Sequence, residues 1–292
     1  MRVRILLIGS DTSFGYALEQ QLSRWGRHEF ESIGFAASRW RSERHAKKAV
    51  RRTRPDVVVD ARLQGAVDSG EQLFDPDVER CHWLAKACQR SGAIYLMLSS
   101  ARVFAGEQER PYTEQDVPDN SETIGRLLQR GEELVAQTCE RHLLLRLGPV
   151  FSHRGRNVMT HMLGQLMQGG TLTLDNSLRG CPVPSLDAAR VVSGVLDQLS
   201  AGANSWGVFH YGSSDATHCY EFAEVLLAAA SQFSEFGPQA VTLREQEAGY
   251  TLSRRLDCNR LRNTFAIKQV PWRGFVADAV KLYFDNLKST ES

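Results

Sequence analysis

The stretch from Val3 to Gly15 constrains this chain more than any other. An apolar run, Ile5-Leu6-Leu7-Ile8, meets Gly9-Ser10-Asp11-Thr12-Ser13-Phe14-Gly15 and then an amphipathic segment. Val3–Ile8 is expected to be a strand buried on both faces, because apolar residues follow one another without polar alternation. Phe14, Ala17, Leu18 and Leu22 recur at helical spacing and predict a helix over Phe14–Trp25. A strand that turns at once into a helix points to parallel pairing, since parallel neighbours need a crossover connection. The alternation continues with strands at Phe30–Phe35, Asp56–Asp60, Ile94–Leu98 and Leu143–Leu147. Between them lie helical patterns at Ser42–Arg52, Asp77–Ser91 and Arg126–Glu140. The predicted fold class is α/β, a doubly wound parallel sheet with right-handed crossovers.

After residue 150 the pattern loosens. Helices are expected at Val158–Gln168, Ser185–Leu199, Glu221–Phe233 and Gly274–Leu287, and a strand at Gly207–Tyr211. Gly169-Gly170, the segment Gly180 to Pro184, and Gly237-Pro238 punctuate them. The expected division is a nucleotide-binding domain over residues 1–150 and a smaller lobe over 151–292, with some late segments returning to the sheet.

Composition excludes several classes. With 42% hydrophobic residues in 292, the chain has ample core, unlike a disordered, collagenous or disulfide-stapled protein. No apolar run approaches the ~20 residues of a membrane span. The arginines and short apolar stretch of the first ten residues resemble a signal peptide, but they lead into a glycine turn, so a first strand and a cytoplasmic protein are expected. Cys81, Cys88, Cys139, Cys181, Cys219 and Cys258 are scattered, as reduced packing thiols are. His142, His153, His161 and His218 show no ligand spacing, so no metal is expected. Trp25 and Trp206 read as core or inter-lobe packing, and His210 and Tyr211 as packing at a strand end.

A glycine turn between strand and helix suits a pyrophosphate on the helix N-terminal amides. Gly9 allows the turn and Gly15 the close packing, while Thr12 replaces the middle glycine. The alternative is a plain tight turn. After the second strand, Phe35-Ala36-Ala37-Ser38-Arg39-Trp40-Arg41 offers no acid for an NAD ribose but two arginines for an NADP phosphate. NADP(H) is therefore favoured over NAD(H), unless these arginines belong to a solvated helix face. The net charge of +1 conceals that Ala36–Arg54 carries eight Lys/Arg and one acid. Its electrostatics alone suggest nucleic acid or an acidic partner; a solvated helix is the favoured explanation.

Several blocks in order carry a resemblance. They include Arg54-Pro55-Asp56-Val57-Val58-Val59-Asp60-Ala61, then Gly65-Ala66-Val67-Asp68, and Leu98-Ser99-Ser100-Ala101-Arg102-Val103-Phe104. They continue through Pro111-Tyr112-Thr113-Glu114, Gly180-Cys181-Pro182, Gly207-Val208-Phe209-His210 and Leu256-Asp257-Cys258-Asn259-Arg260-Leu261. The chain resembles an extended short-chain dehydrogenase/reductase of the dTDP-4-dehydrorhamnose reductase type. That resemblance implies a Rossmann-like domain, a nucleotide-sugar lobe and NAD(P)H-dependent reduction of a sugar ketone. It implies cofactor contacts at Gly9, Asp11, Thr12, Phe14, Gly15, Arg39, Ala61 and Ser99. It also implies a substrate pocket with Ser100, Asn157 and Arg179.

The family's chemistry needs a Tyr-x-x-x-Lys pair, because an unassisted phenol at about 10 is poorly matched to neutral pH. Anchored on Gly125-Arg126 and Gly131-Glu132, the Tyr position holds Ile124 and the Lys position Leu128. No tyrosine lies between Tyr112 and Tyr211, and no lysine between Lys86 and Lys268. Only the hydroxyl of Ser100 remains. The expected function is that of a non-catalytic member of the family, binding NADP(H) or a nucleotide-sugar as a regulatory or scaffolding subunit, with a protein partner or a second copy. Such use has a precedent in the regulatory beta subunit of methionine adenosyltransferase, which resembles the same reductases. The alternatives are an active NADPH-dependent reductase with a displaced donor such as Tyr112 or His153, and a nucleic-acid or acidic-partner binder through Arg39–Arg54.

Overall fold

In the computed structural model, which describes residues 2–236, 241–246 and 249–291, the first strand and helix form as the pattern requires. β1 (Arg4–Ile8) is buried from Ile5 onward and passes through Gly9 into α1 (Ser13–Trp25). There follow β2 (Glu29–Ile33), α2 (Glu43–Thr53), β3 (Val57–Asp60), α3 (Arg62–Ser69) and α4 (Asp75–Ser91). β4 (Ile94–Ser100), α5 (Thr123–Thr138) and β5 (His142–Leu147) complete the regular half. α3 was not expected, because it is a single short stretch of eight residues with Gly65 inside it.

The later half supplies β6 (Val150–Phe151), α6 (Val158–Met167), β7 (Gly170–Asp175), β8 (Leu178–Arg179), β9 (Val183–Pro184) and α7 (Ser185–Ser200). Then come β10 (Gly207–Tyr211), α8 (Cys219–Ala230), β11 (Val241–Gln246), β12 (Leu252–Ser253), α9 (Asn259–Phe265) and α10 (Val276–Glu291). Gly237-Pro238 lies outside the described residues. β7 pairs with β11 in a two-stranded ribbon that periodicity did not reveal, since it is only half-buried and lies far apart in sequence.

Six strands form one parallel sheet in the order β2-β1-β3-β4-β5-β10. The order reverses between β1 and β3, which opens a crevice beyond their carboxyl ends, where such sheets bind ligands. Both faces are covered. Ile5 and Leu7 pack with Phe14 and Leu18 of α1 and Val192 and Leu196 of α7. Leu6 and Ile8 pack with Val50 of α2, Leu84 of α4 and Leu128 of α5. A third cluster joins Phe151, Leu163, Phe222, Trp272 and Phe284 from the later half. Trp25 corrects the packing expectation: it ends α1, beyond the apolar stripe, is 46% exposed and is covered by the Arg27 guanidinium at 4.6 Å. Trp206 does pack, partly buried, against the first cluster. Among the described residues no helix is long and apolar enough to cross a membrane, and the cysteines are free.

The β1–α1 turn holds the crevice in shape. Gly9 has φ 82°, in the left-handed region that favours glycine. The Thr12 hydroxyl donates to Gly9 O at 2.7 Å and accepts from Gly15 N at 3.0 Å, capping the helix. A Cβ on Gly15 would lie 2.0 Å from Gly9 O, so no larger residue fits. Gly15→Ala is therefore expected to lower stability by about 3 kcal/mol, the upper end for overpacking, measured by urea unfolding.

Candidate functional site

Two openings meet the carboxyl end of the sheet. The first, of about 370 Å³, is lined by Asp11, Thr12 and Ser13, by Phe35, Ala36 and Arg39, by Gly65, Ala66, Ser69 and Glu71, and by Gly155 and Arg156. Asp11 Oδ1 accepts from Phe35 N at 2.5 Å and ties the glycine turn to the end of β2. The Thr12 methyl lies over α3, where a Cβ on Gly65 would come within 2.4 Å of it. The side chain at the middle-glycine position is thus accommodated by the missing side chain of Gly65. Arg39 lies over the Phe35 ring at 5.0 Å and pairs with Glu71 at 3.3 Å. A helix N-terminus flanked by Arg39 and Arg156 suits the phosphates of a dinucleotide.

Three other residues expected to contact the cofactor have buried side chains. The Phe14 side chain is buried in the core, leaving only its backbone to offer a ligand. Ala61 is fully buried and backs Gly9. Ser99 gives its hydroxyl to Glu132 at 2.5 Å, inside a buried group in which Glu132 also takes Arg146 at 2.6 Å. Arg41 is exposed, and Arg44, Lys47, Lys48 and Arg51 occupy the outer face of α2.

The second opening, of about 350 Å³, lies beyond β4. Its walls include Val67 and Asp68 of α3, Ser100 at the end of β4 and Arg102 just after it, Arg179 of β8, His218 and Phe222 at α8, and Arg254. Ser100 and Arg179 are thus in its lining. Asn157 is not: it is buried as the N-cap of α6, with Oδ1 accepting from Met159 N at 3.0 Å and Nδ2 donating to Ser152 O and Arg154 O. A side chain whose polar atoms are all engaged in a cap has none left for a ligand.

At the Tyr position, Ile124 packs half-buried against the second core cluster. At the Lys position, Leu128 is fully buried in that cluster. Neither suggested replacement donor lies in the cavity wall. Tyr112 is fully buried, stacked on Phe104 with centroids 4.0 Å apart, and its hydroxyl accepts from Gly106 N. His153 lines a separate surface crevice with Tyr283, and burial pulls its ring below the usual range. His210 is held neutral, pushed down to about 3 by burial and then by the Arg146 charge, which fits the packing role expected of it.

Sequence reasoning missed the groups that give this cavity its character. Asp68 Oδ1 accepts from Gln64 Nε2 at 2.9 Å and Val150 N at 3.0 Å. Burial pushes its carboxyl well above the usual range, outweighing those hydrogen bonds. Gln64 Oε1 is buried with no hydrogen-bond partner. The Asp68 position was within a quoted block, yet only the fold shows that it faces Ser100's cavity. Among the described residues no three His, Cys, Asp or Glu side chains converge as a metal site requires.

A model of the RmlD substrate-binding domain matches residues 3–284. The chain belongs to that family. Among its relatives is a dTDP-4-dehydrorhamnose reductase of Aggregatibacter actinomycetemcomitans, 24% identical over 284 residues, covering 92% of this chain and 96% of the relative. Another is methionine adenosyltransferase 2 subunit beta of Danio rerio, 22% identical over 299 residues, covering 95% of this chain and 90% of the relative. A dTDP-4-dehydrorhamnose reductase of Clostridium acetobutylicum shares the fold with TM-score 0.81 at 20% identity, over 98% of this chain and 99% of that one. The Bacillus anthracis reductase, solved in complex with NADP, has TM-score 0.80 at 16% identity, over 95% of this chain and 98% of that one. The RmlD-family fold is thus kept along nearly the whole chain, and Leu128, expected at the ammonium position, is fully buried. Leu128→Lys would bury a charge among apolar side chains and is expected to cost about 4 kcal/mol, read by chemical denaturation.

Proposed function

We propose that this chain is a ligand-binding member of the reductase family that does not use the family's tyrosine–lysine chemistry. It binds NADP(H) in the Arg39 opening and a nucleotide-sugar in the Ser100 cavity, and it acts as a regulatory or scaffolding subunit. The observation that carries this reading is Leu128: fully buried at the lysine position, in a fold that retains both openings. A relative named as a subunit, methionine adenosyltransferase 2 subunit beta, supports the role. Gly9, Ser13, Gly15 and the α1 amides would hold the pyrophosphate, and Arg39 a 2′-phosphate in exchange for Glu71. A bound dinucleotide would supply hydride; reduction also needs a proton for the developing alkoxide. Ser100 can orient a carbonyl but has no lysine-assisted phenol to replenish its proton.

Thermal-shift titration tests this. NADPH at 100 times its Kd is expected to stabilise the protein by about 2.7 kcal/mol, with a smaller effect in Arg39→Ala. NADPH mixed with a dTDP-4-keto-sugar is expected to remain unoxidised. Oxidation at a steady rate, or no stabilisation by any dinucleotide, overturns the proposal.

Asp68 favours a second reading, an NADPH-dependent reductase with a displaced donor. Its carboxyl lines the same cavity as Ser100 and is biased toward the protonated form. The acid form would be the active one, so turnover would fall as pH rises through the elevated pKa. Under this reading Asp68→Asn abolishes turnover while leaving NADPH binding intact; turnover unchanged in Asp68→Asn removes the carboxyl from the chemistry.

A further inference from the structure

The wall of the Ser100 cavity carries positive charge beyond what a neutral sugar calls for. Arg102 follows Ser100 by two residues, on a short turn whose amide donates to Ser100 Oγ at 3.4 Å. Arg254 comes from the far end of the chain and lines the same cavity. Its backbone amide donates to Arg179 O at 2.9 Å, and its Nε donates to Phe104 O at 2.8 Å, so its guanidinium is fixed in the wall. Burial, and after it the like charge of Arg102, pulls Arg254 below its ordinary value.

The surrounding acids leave this charge incompletely answered. Glu122 takes Arg102 Nη2 at 3.2 Å but is itself 58% exposed, which makes the pair a weak one. Arg102 Nε is buried with no hydrogen-bond partner. Glu122 and, more weakly, Asp119 also draw on Arg254, and Asp119 Oδ1 holds the Ala105 amide as well. Asp68, the carboxyl in the wall, is bonded to Gln64 and Val150 instead of either arginine. Two guanidiniums in the wall of one cavity favour an oxyanion, which their planar forks bind well.

We propose that Arg102 and Arg254 form an oxyanion clasp beside Ser100, so that the sugar held in this cavity carries its own carboxylate or phosphate. The proposal rests on the nucleotide-sugar reading above and narrows its ligand class. Arg179, exposed on the same wall, remains for a diphosphate farther out.

Calorimetric titration of the full chain with UDP-glucuronate and UDP-glucose tests this, because the two differ only in the C6 carboxylate. Glucuronate, glucose 6-phosphate and glucose extend the comparison to sugars without the nucleotide. UDP-glucuronate is expected to bind at least about tenfold more tightly than UDP-glucose. That preference is expected to vanish in Arg102→Gln and in Arg254→Gln, with circular dichroism showing both folded, and to grow in Glu122→Gln. Which of glucuronate and glucose 6-phosphate binds more tightly tells carboxylate from phosphate. Equal affinity for the two UDP-sugars overturns the clasp and leaves the nucleotide-sugar reading standing. Arg102-dependent binding of glucuronate or glucose 6-phosphate, with neither UDP-sugar bound, upholds the clasp and removes that reading. No binding of any anionic probe overturns the clasp.

Discussion

The contact between Gly15 and Gly9 sets the geometry on which both openings depend. With 2.0 Å between a notional Cβ and Gly9 O, the first helix can sit against the turn only because residue 15 has no side chain. That contact aims the α1 N-terminus at the point where the strand order reverses. Thr12 then closes the turn from within, using its hydroxyl twice, and Gly65 makes room for its methyl. The middle glycine has been lost, but a second glycine, on α3, accommodates the loss.

The same sheet end places two chemistries side by side. On the Arg39 side, backbone amides and cations meet in an opening suited to phosphates. On the Ser100 side, a hydroxyl, a carboxyl biased toward its neutral form and three arginines share one wall. α5 carries Ile124 and Leu128, the residues expected at the tyrosine and lysine positions. Leu128 contributes apolar packing to the second core cluster, where a lysine ammonium would be costly to bury.

The buried polar groups show a consistent division of labour. Asp60 sits under Arg62, which donates Nη2 at 2.7 Å, and under the Tyr95 hydroxyl at 2.7 Å. Burial would raise this carboxyl, but Arg62 and Tyr95 outweigh it and hold it below its ordinary value. Glu132 and Arg146 form a similar interior pair under Ser99. These groups satisfy one another and stiffen the strand ends. Asp68, Arg102 and Arg254, by contrast, line the Ser100 cavity, and Arg102 Nε has no hydrogen-bond partner within the protein.

Apart from α3, the order of strands and helices through residue 150 was legible in the chain itself, as were the glycine turn and the lack of any tyrosine between Tyr112 and Tyr211 or lysine between Lys86 and Lys268, because each is a local property. Leu128 could be placed by counting from Gly125 and Gly131. Asn157 and Ser99 could not be judged that way: whether an amide caps a helix or faces a ligand, and whether a hydroxyl turns inward to Glu132, depends on neighbours distant in sequence. Arg254 comes within reach of Arg102 only because β12 pairs with β8 and the segment closes over the end of β4. Sequence by itself determined the sheet and the stretches without tyrosine or lysine, since periodicity and residue identity are local properties. Tertiary structure alone decided which charges share a cavity, because convergence across 152 positions, from Arg102 to Arg254, is created by packing.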